Sequence, residues 1–339
     1  MESIWKERLI EKNWSPRAAQ QIQFCLAPST LRIYNNNICK LQQFCELRNI
    51  QFPPTSSGII ADFLCSIADS SSRPRSALNV AHAAITFYFR ITNQPNPCDQ
   101  NIGYLMTALV KSGTVSTIKK PNILPAQPFT DLFTKLGDNE KMSLKDLRMK
   151  TIVLLAFAFM LRPSDIAPKS VVYDGSTGDV TSLVFNTNNI RFEDNGNLTI
   201  VFHGIKNDLR RDGFVTTIPS LDNSILDPVR CLKMYIERTD SVRPTDSKPV
   251  FISLSKPFKA LSASSIGQIL QNAIKMAGLD STKYSAKSFR PTGATRAIEA
   301  GLDANKCRRV GRWASEDCFF THYVHDKTPA MFTEKVLKP

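Results

Sequence analysis

Near the end of the 339-residue chain stands Val310-Gly311-Arg312-Trp313-Ala314-Ser315-Glu316-Asp317-Cys318-Phe319-Phe320-Thr321-His322-Tyr323. Ser315 has the chemistry of a helix N-cap, and the two acids behind it sit where the helix dipole favours negative charge. A helix from this point puts Phe319 and Tyr323 one turn apart on the same face. Most tyrosines in such places are half-buried packing residues. Three segments further upstream give this one a second reading.

The first is Ser285-Ala286-Lys287-Ser288-Phe289-Arg290-Pro291-Thr292-Gly293-Ala294-Thr295. Lys287 and Arg290 are three apart, so at a helix start both can face one side, beside backbone N–H groups that bind phosphate. A basic capping turn has the same pattern. The second is Phe159-Met160-Leu161-Arg162-Pro163-Ser164-Asp165-Ile166, which puts an arginine directly after the apolar run Ile152–Leu161. Burying a guanidinium unpaired is costly, and Asp165 stands three residues on to hold it. A purely structural Arg–Asp pair is the plainer account. The third is Ile200-Val201-Phe202-His203-Gly204-Ile205-Lys206-Asn207-Asp208, a hairpin with Lys206 at its tip. Taken locally, Lys206 is an ordinary solvated turn lysine.

The formal charge of +13 calls for an anionic partner, because self-repulsion opposes compaction. Nucleic acid is the commonest, although anionic membranes and ribosomal partners suit the same charge. The eight cysteines include no Cys-x-x-Cys pair and no zinc-ligand spacing. The amino terminus lacks the apolar core of a signal peptide, and Ile152–Leu161 is too short to span a bilayer. These features imply a basic, intracellular protein with no membrane partner.

Helical periodicity fills the first third, with helices expected over 3–25, from Pro28 through Cys45, and over 57–68, 75–90 and 102–110. The polar, proline-broken stretch from Gly113 to Pro128 reads as a linker. That gives a helical domain at 1–112, a linker at 113–128 and a second domain at 129–339. The second domain opens with helices over 129–136 and 143–161. Short strands follow at 180–185, 198–202 and 214–218, separated by Asp194-Asn195-Gly196 and Asp212-Gly213. Helices return at 229–237, 264–277 and 288–300, then from Ser315. The fold class is mainly α with a small antiparallel β-sheet (α+β).

In this order the four segments resemble the tyrosine recombinase (phage integrase-like) family. That family presents an arginine, a β-hairpin lysine, His/Lys-x-x-Arg, a Gly-x-Trp or Gly-His element and a late tyrosine. The resemblance covers 129–339 by motif, and the front by the family's helical core-binding domain that clamps DNA. It implies catalytic positions at Arg162, Lys206, Lys287, Arg290, Trp313 and Tyr323, with Asp165 and Arg312 in support. Lysine stands at 287, where histidine is usual. Gly311-Arg312-Trp313 shifts the tryptophan by one, so either Arg312 or Trp313 fills the last position. Trp14-Ser15-Pro16-Arg17, Pro28-Ser29-Thr30-Leu31-Arg32-Ile33-Tyr34 and Lys287-Ser288-Phe289-Arg290-Pro291-Thr292-Gly293 are similar to recombinases of DIRS-like and Ngaro-like retrotransposons. Crypton elements are the near alternative.

The resemblance implies a site-specific recombinase that breaks and rejoins double-stranded DNA through a 3′-phosphotyrosine. Two guanidiniums can grip the non-bridging oxygens as charge builds on them. A phenol must shed its proton to attack, and a lysine can protonate the leaving 5′ oxygen. The step conserves bond energy, so no cofactor and no metal is expected. Arg32, Lys40, Arg73, Arg75, Lys119 and Lys120 are candidate DNA contacts. A homo-oligomer on DNA, from dimer to tetramer, is implied, as is a nuclear location for a eukaryotic element or a cytoplasmic, nucleoid one otherwise. A silent DNA-binding descendant and a type IB topoisomerase are the alternatives. Tyr235 and Tyr284 read as packing residues, and His322 with His325 lacks a third metal ligand.

Overall fold

The computed structural model describes residues 4–112, 122–173, 180–183, 185–203 and 213–324. The chain divides into two compact units, 1–118 and 119–339.

The first unit is helical: α1 (Ile4–Glu11), α2 (Pro16–Gln21), a 3₁₀ turn (Ile22–Cys25), α3 (Pro28–Glu46), α4 (Ser57–Asp69), α5 (Pro74–Ile91) and α6 (Gln100–Ser112). The single helix expected over 3–25 is thus broken in two. Asn13 takes a left-handed φ of 64°, a conformation that asparagine tolerates and that ends a helix. Ser15 then caps α2 by accepting the Ala18 N–H at 3.2 Å, and Pro16 occupies the position where a missing N–H costs nothing. Lys12, in the same break, donates to the Asn93 carbonyl at 3.0 Å and ties this end to the close of α5. Helical spacing decides the rest. Ile38, Leu41 and Cys45 of α3, Ile60, Phe63 and Leu64 of α4, and Leu78, Ala81, Ile85 and Phe89 of α5 form one buried core.

The second unit begins with α7 (Gln127–Leu136) and α8 (Leu144–Ala158), then a 3₁₀ turn over Pro163–Asp165. Helix α7 starts inside the stretch read as linker, with Pro128 in its first turn. Five strands follow: β1 (Lys169–Tyr173), β2 (Val180–Leu183), β3 (Ile190–Phe192), β4 (Leu198–Phe202) and β5 (Phe214–Ile218). The order β3-β4-β5 makes one antiparallel sheet, while β2 pairs with β1 in a separate ribbon. The sequence signalled β2, β4 and β5; β1 and β3 were not expected. The β4–β5 ladder closes on the pair Phe202↔Phe214, directly before residues 204–212, which lie outside the described residues.

Helices α9 (Pro228–Thr239), α10 (Ala263–Met276), α11 (Phe289–Glu299), α12 (Ala304–Val310) and α13 (Glu316–His322) follow among the described residues. Helix α12 had no counterpart in the periodicity reading. Among the described residues, no helix is long and apolar enough to cross a membrane.

Helix α8 is buried almost all round, and α9, α10 and α11 pack on it. Even Lys150 is 1% exposed, with its ammonium on Asn139 Oδ1 at 2.9 Å. Where α11 meets α8, Gly293 is the contact. A Cβ there would stand 2.7 Å from the Phe157 carbonyl oxygen and 3.0 Å from Met160 Cγ. The backbone oxygen has little room to yield, so Gly293 sets the distance between α11, which carries Arg290, and the end of α8, which leads to Arg162. Gly293→Ala is expected to lower the unfolding free energy by about 1–3 kcal/mol, the usual range for overpacking. An unchanged urea midpoint would contradict the close approach.

Candidate active site

Helix α8 ends at Ala158, and Met160 turns the chain with a left-handed φ of 51°. Arg162 then precedes the 3₁₀ turn, where Asp165 fixes its main chain. The Arg162 N–H donates to Asp165 Oδ2 at 2.8 Å, and the Asp165 N–H returns to the Arg162 carbonyl at 2.8 Å. The side-chain pair expected between Arg162 and Asp165 does not form. Asp165, 3% exposed, pairs instead with Arg312 at 3.2 Å and more loosely with Arg290 at 4.0 Å. An i, i+3 count could not have found this partner, because Arg312 is remote in sequence. The carboxylate spends its backbone bond on Arg162 and its ion pairs elsewhere.

Arg290 lies in the first turn of α11 with its side chain 4% exposed. It donates through Nη1 to the Met160 carbonyl and through Nη2 to the Gly311 carbonyl. The Trp313 ring lies 3.9 Å from its guanidinium carbon and the Tyr323 ring 5.4 Å. Burial pushes the Arg290 pKa below its ordinary value, the positive charge of Arg162 adds to that, and Asp165 opposes it. Burial lowers the Arg312 pKa as well, again with Asp165 opposing. Charged groups are thus held close together away from water, where their fields act at full strength.

The Gly311 turn delivers the aromatic part. A Cβ on Gly311 would fall 1.7 Å from the Trp313 ring, so only glycine lets the indole fold back over the chain. Arg312 sits at φ 61°, strained for a non-glycine residue. This sends its side chain to Asp165 while the next residue, Trp313, meets Arg290. The indole, 5% exposed, also meets Phe319 and Tyr323, both with centroids at 4.8 Å. Ser315 caps α13 by accepting the Cys318 N–H at 3.1 Å. Thr295 of α11 holds the far end, donating to the Tyr323 carbonyl at 3.2 Å. Two buried donors, Arg290 Nε and Trp313 Nε1, have no hydrogen-bond partner among the described residues. The Arg162 guanidinium, half-buried, likewise has none there. An anion entering this site would find donors waiting.

The structure therefore brings together Arg162, Asp165, Arg290, Arg312, Trp313 and Tyr323. Of the two candidates in Gly311-Arg312-Trp313, it is Trp313 that touches Tyr323. Lys287 stands exposed in the turn before α11 and does not share the buried side of Arg290. Lys206, Lys119 and Lys120 lie outside the described residues, as does His325. Arg32 and Lys40 are exposed on α3, and Arg73 and Arg75 at the start of α5. Tyr235 is fully buried, its hydroxyl accepting the Ile252 N–H at 3.3 Å, and Tyr284 packs against the core. Among the described residues no group of metal-ligating side chains gathers. Sequence reasoning missed Thr295, and also the basic run Lys306, Arg308 and Arg309 on α12, directly before the site turn. The cluster Lys-Cys-Arg-Arg was the available signal for α12; Thr295 gave none.

No family model matches the chain. Over 320 residues, 92% of this chain and 86% of the relative, it is 25% identical to an integrase/recombinase XerD homolog of Selenomonas ruminantium. Its fold is similar to that of the XerH site-specific recombinase bound to palindromic difH substrate in a post-cleavage complex. That match has a TM-score of 0.61 and 15% identity, covering 91% of this chain and 79% of that one. The Tn1549 transposon integrase in complex with transposon right-end DNA matches with TM-score 0.58 and 15% identity, covering 95% and 98%. A lambda integrase dimer bound to a COC′ core site matches with TM-score 0.51 and 13% identity, covering 92% and 94%. The chain thus shares the fold of recombinases and integrases that break and rejoin DNA. Over most of its length it is also similar in sequence to a member of the tyrosine recombinase/integrase family.

The Gly311 contact yields a direct check. In a Trp5→Phe/Trp14→Phe background Trp313 is the only indole, and Gly311→Ala is expected to expel it toward solvent and red-shift its emission. Unshifted emission would show that the ring does not lie over Gly311.

Proposed function

We propose that the chain is a site-specific DNA recombinase that cleaves and rejoins double-stranded DNA through a 3′-phosphotyrosine on Tyr323. The observation that carries this reading is the contact of Tyr323 with Trp313 and Arg290 inside one unit. A phenol, a buried guanidinium and an indole donor then converge on one place. The phosphodiester is gripped by Arg162 and Arg290, with the partnerless Nε donors of Arg290 and Trp313 available to its oxygens.

Tyr323 attacks the phosphorus, forming the phosphotyrosyl bond as the bond to the 5′ oxygen breaks, and releases its phenolic proton to solvent. The leaving 5′ oxygen takes a proton from Lys206, with Lys287 assisting from the mouth of the site. Reversal by another 5′ hydroxyl rejoins the DNA without an energy source. Arg32, Lys40, Arg73 and Arg75, all exposed, bind DNA phosphates through the first unit, and Lys119 and Lys120 add to them from the chain that follows it. The DNA-bound XerH, Tn1549 and lambda relatives support this partner. Paired copies on DNA, up to a tetramer, follow the same line. The DIRS-like, Ngaro-like and Crypton-like motifs favour a mobile-element integrase working in a nucleus.

The test is a nicked suicide duplex carrying the termini of the parent element, resolved on denaturing gels and followed by peptide mass spectrometry. A DNA adduct on the Tyr323 peptide is expected. Tyr323→Phe should abolish it while leaving DNA affinity within about twofold, and unchanged cleavage by that variant would refute the nucleophile. Arg162→Ala and Arg290→Ala should each slow cleavage by about 10²–10³, the scale set by loss of one transition-state donor. Affinity should fall steeply with salt, as counterion release requires. Tight, salt-sensitive binding without an adduct would instead mark a DNA-binding protein that has lost its chemistry.

A further inference from the structure

Two guanidiniums and a backbone N–H meet at a single carboxylate, and only one of the guanidiniums is joined to it closely. The Arg312 side chain, 2% exposed, meets Asp165 Oδ2 at 3.2 Å; Arg290 stands at 4.0 Å from the same oxygen. That oxygen also accepts the Arg162 N–H at 2.8 Å. On its other side the Arg312 guanidinium carbon lies 4.7 Å from the Phe202 ring and 5.8 Å from the Phe214 ring. These are the paired residues that close the β4–β5 ladder.

From this geometry we infer that Arg312 is a positioning residue for strand cleavage, acting through Asp165. The inference rests on the recombinase reading above. Asp165 is needed to hold the Arg162 main chain, yet a buried carboxylate pulls on every cation in reach. Arg312 satisfies that pull. Arg290 can then donate to neutral carbonyls and face the Tyr323 ring, and the Arg162 guanidinium is left for substrate. A cation at 312 without Arg's planar, stacking fork would balance the charge but not bridge to the phenylalanine pair. The left-handed backbone at Arg312 is the local strain that allows one turn to aim Arg312 and Trp313 at different partners.

The experiment uses the full chain and measures single-turnover cleavage of the suicide duplex at saturating DNA, alongside DNA affinity. Arg312→Gln is expected to slow cleavage about tenfold or more while changing affinity less than about twofold, the pattern of a transition-state effect. Arg312→Lys should recover part of that loss. The neutral double variant Asp165→Asn/Arg312→Gln removes both charges together, so it stays foldable if the single variant does not. It should cleave faster than Arg312→Gln and within about tenfold of the unmodified chain, because without the carboxylate charge there is no pull for residue 312 to satisfy. Wild-type cleavage by Arg312→Gln would overturn the inference, as would a loss confined to affinity or a double variant slowed by more than about tenfold. An unmodified chain that forms no adduct would defeat the recombinase reading and this inference together. An unmodified chain that reacts while Arg312→Gln reacts equally defeats the inference alone.

Discussion

One carboxylate oxygen, Asp165 Oδ2, carries most of the organisation of the second unit's site. It receives a backbone N–H from Arg162 and a guanidinium N–H from Arg312, with a second guanidinium, that of Arg290, just beyond hydrogen-bond distance. Buried guanidiniums are tolerated only where charge or strong acceptors meet them. The fold meets Arg312 with charge and Arg290 chiefly with main-chain carbonyls. Those carbonyls come from Met160, where the chain leaves α8, and from Gly311, where it enters the aromatic turn. Arg290 is thus the pin through two chain reversals that are far apart in sequence, and Asp165 offsets the repulsion between the surrounding cations.

The backbone makes this possible at a few positions. Met160 and Arg312 both take left-handed φ values, of 51° and 61°, which sidechain-bearing residues adopt at a cost. Each stands beside a contact that repays the strain: Met160 offers its carbonyl to Arg290, and Arg312 reaches Asp165. Gly293 brings α11 against α8 so that Arg290 can reach the Met160 carbonyl, and Gly311 gives the Trp313 indole its place. Gly293 meets Met160 directly, Arg290 ties Met160 to Gly311, and Asp165 ties Arg312 to the same cluster. Strain, close approach and ion pairing are therefore a single construction.

Much of the fold could be read from residues alone, for identifiable reasons. Helices α3, α4 and α5 have strong apolar periodicity because each buries one face in a small core, and Ser315 advertised the start of α13 by its side chain. The break between α1 and α2 was missed because Asn13 and Ser15 act through backbone conformation, which interrupts the chain without disturbing apolar spacing. Strand β3, three residues long, is too short for alternation to register, and the Lys-Ser-Val-Val-Tyr sequence of β1 does not alternate. For the site, the order of Arg162, Arg290, Trp313 and Tyr323 was legible, since each stands beside a distinctive neighbour. The partner of Asp165 was not. Local counting ties an acid to the base three residues away, whereas the fold ties it to Arg312, 147 positions on. Long-range pairing of that kind is decided by tertiary packing.

The charge balance that results bears on the chemistry. With Asp165 matched chiefly by Arg312, the Arg290 guanidinium has only a loose pairing with that carboxylate at 4.0 Å, and among the described residues Arg162 has no carboxylate partner. A phosphodiester brings one negative charge, and a phenol losing its proton as it attacks brings a second. The site thus carries its surplus of positive charge in the amount that the proposed transition state develops, and in groups already desolvated or half-buried. Preorganised charge of this kind needs no rearrangement at the moment of reaction. If Arg312 were absent, Asp165 would claim one of those two cations, and the surplus would fall by half without the loss of either arginine. The identity of residue 312 therefore sets how much of the buried charge is available to DNA.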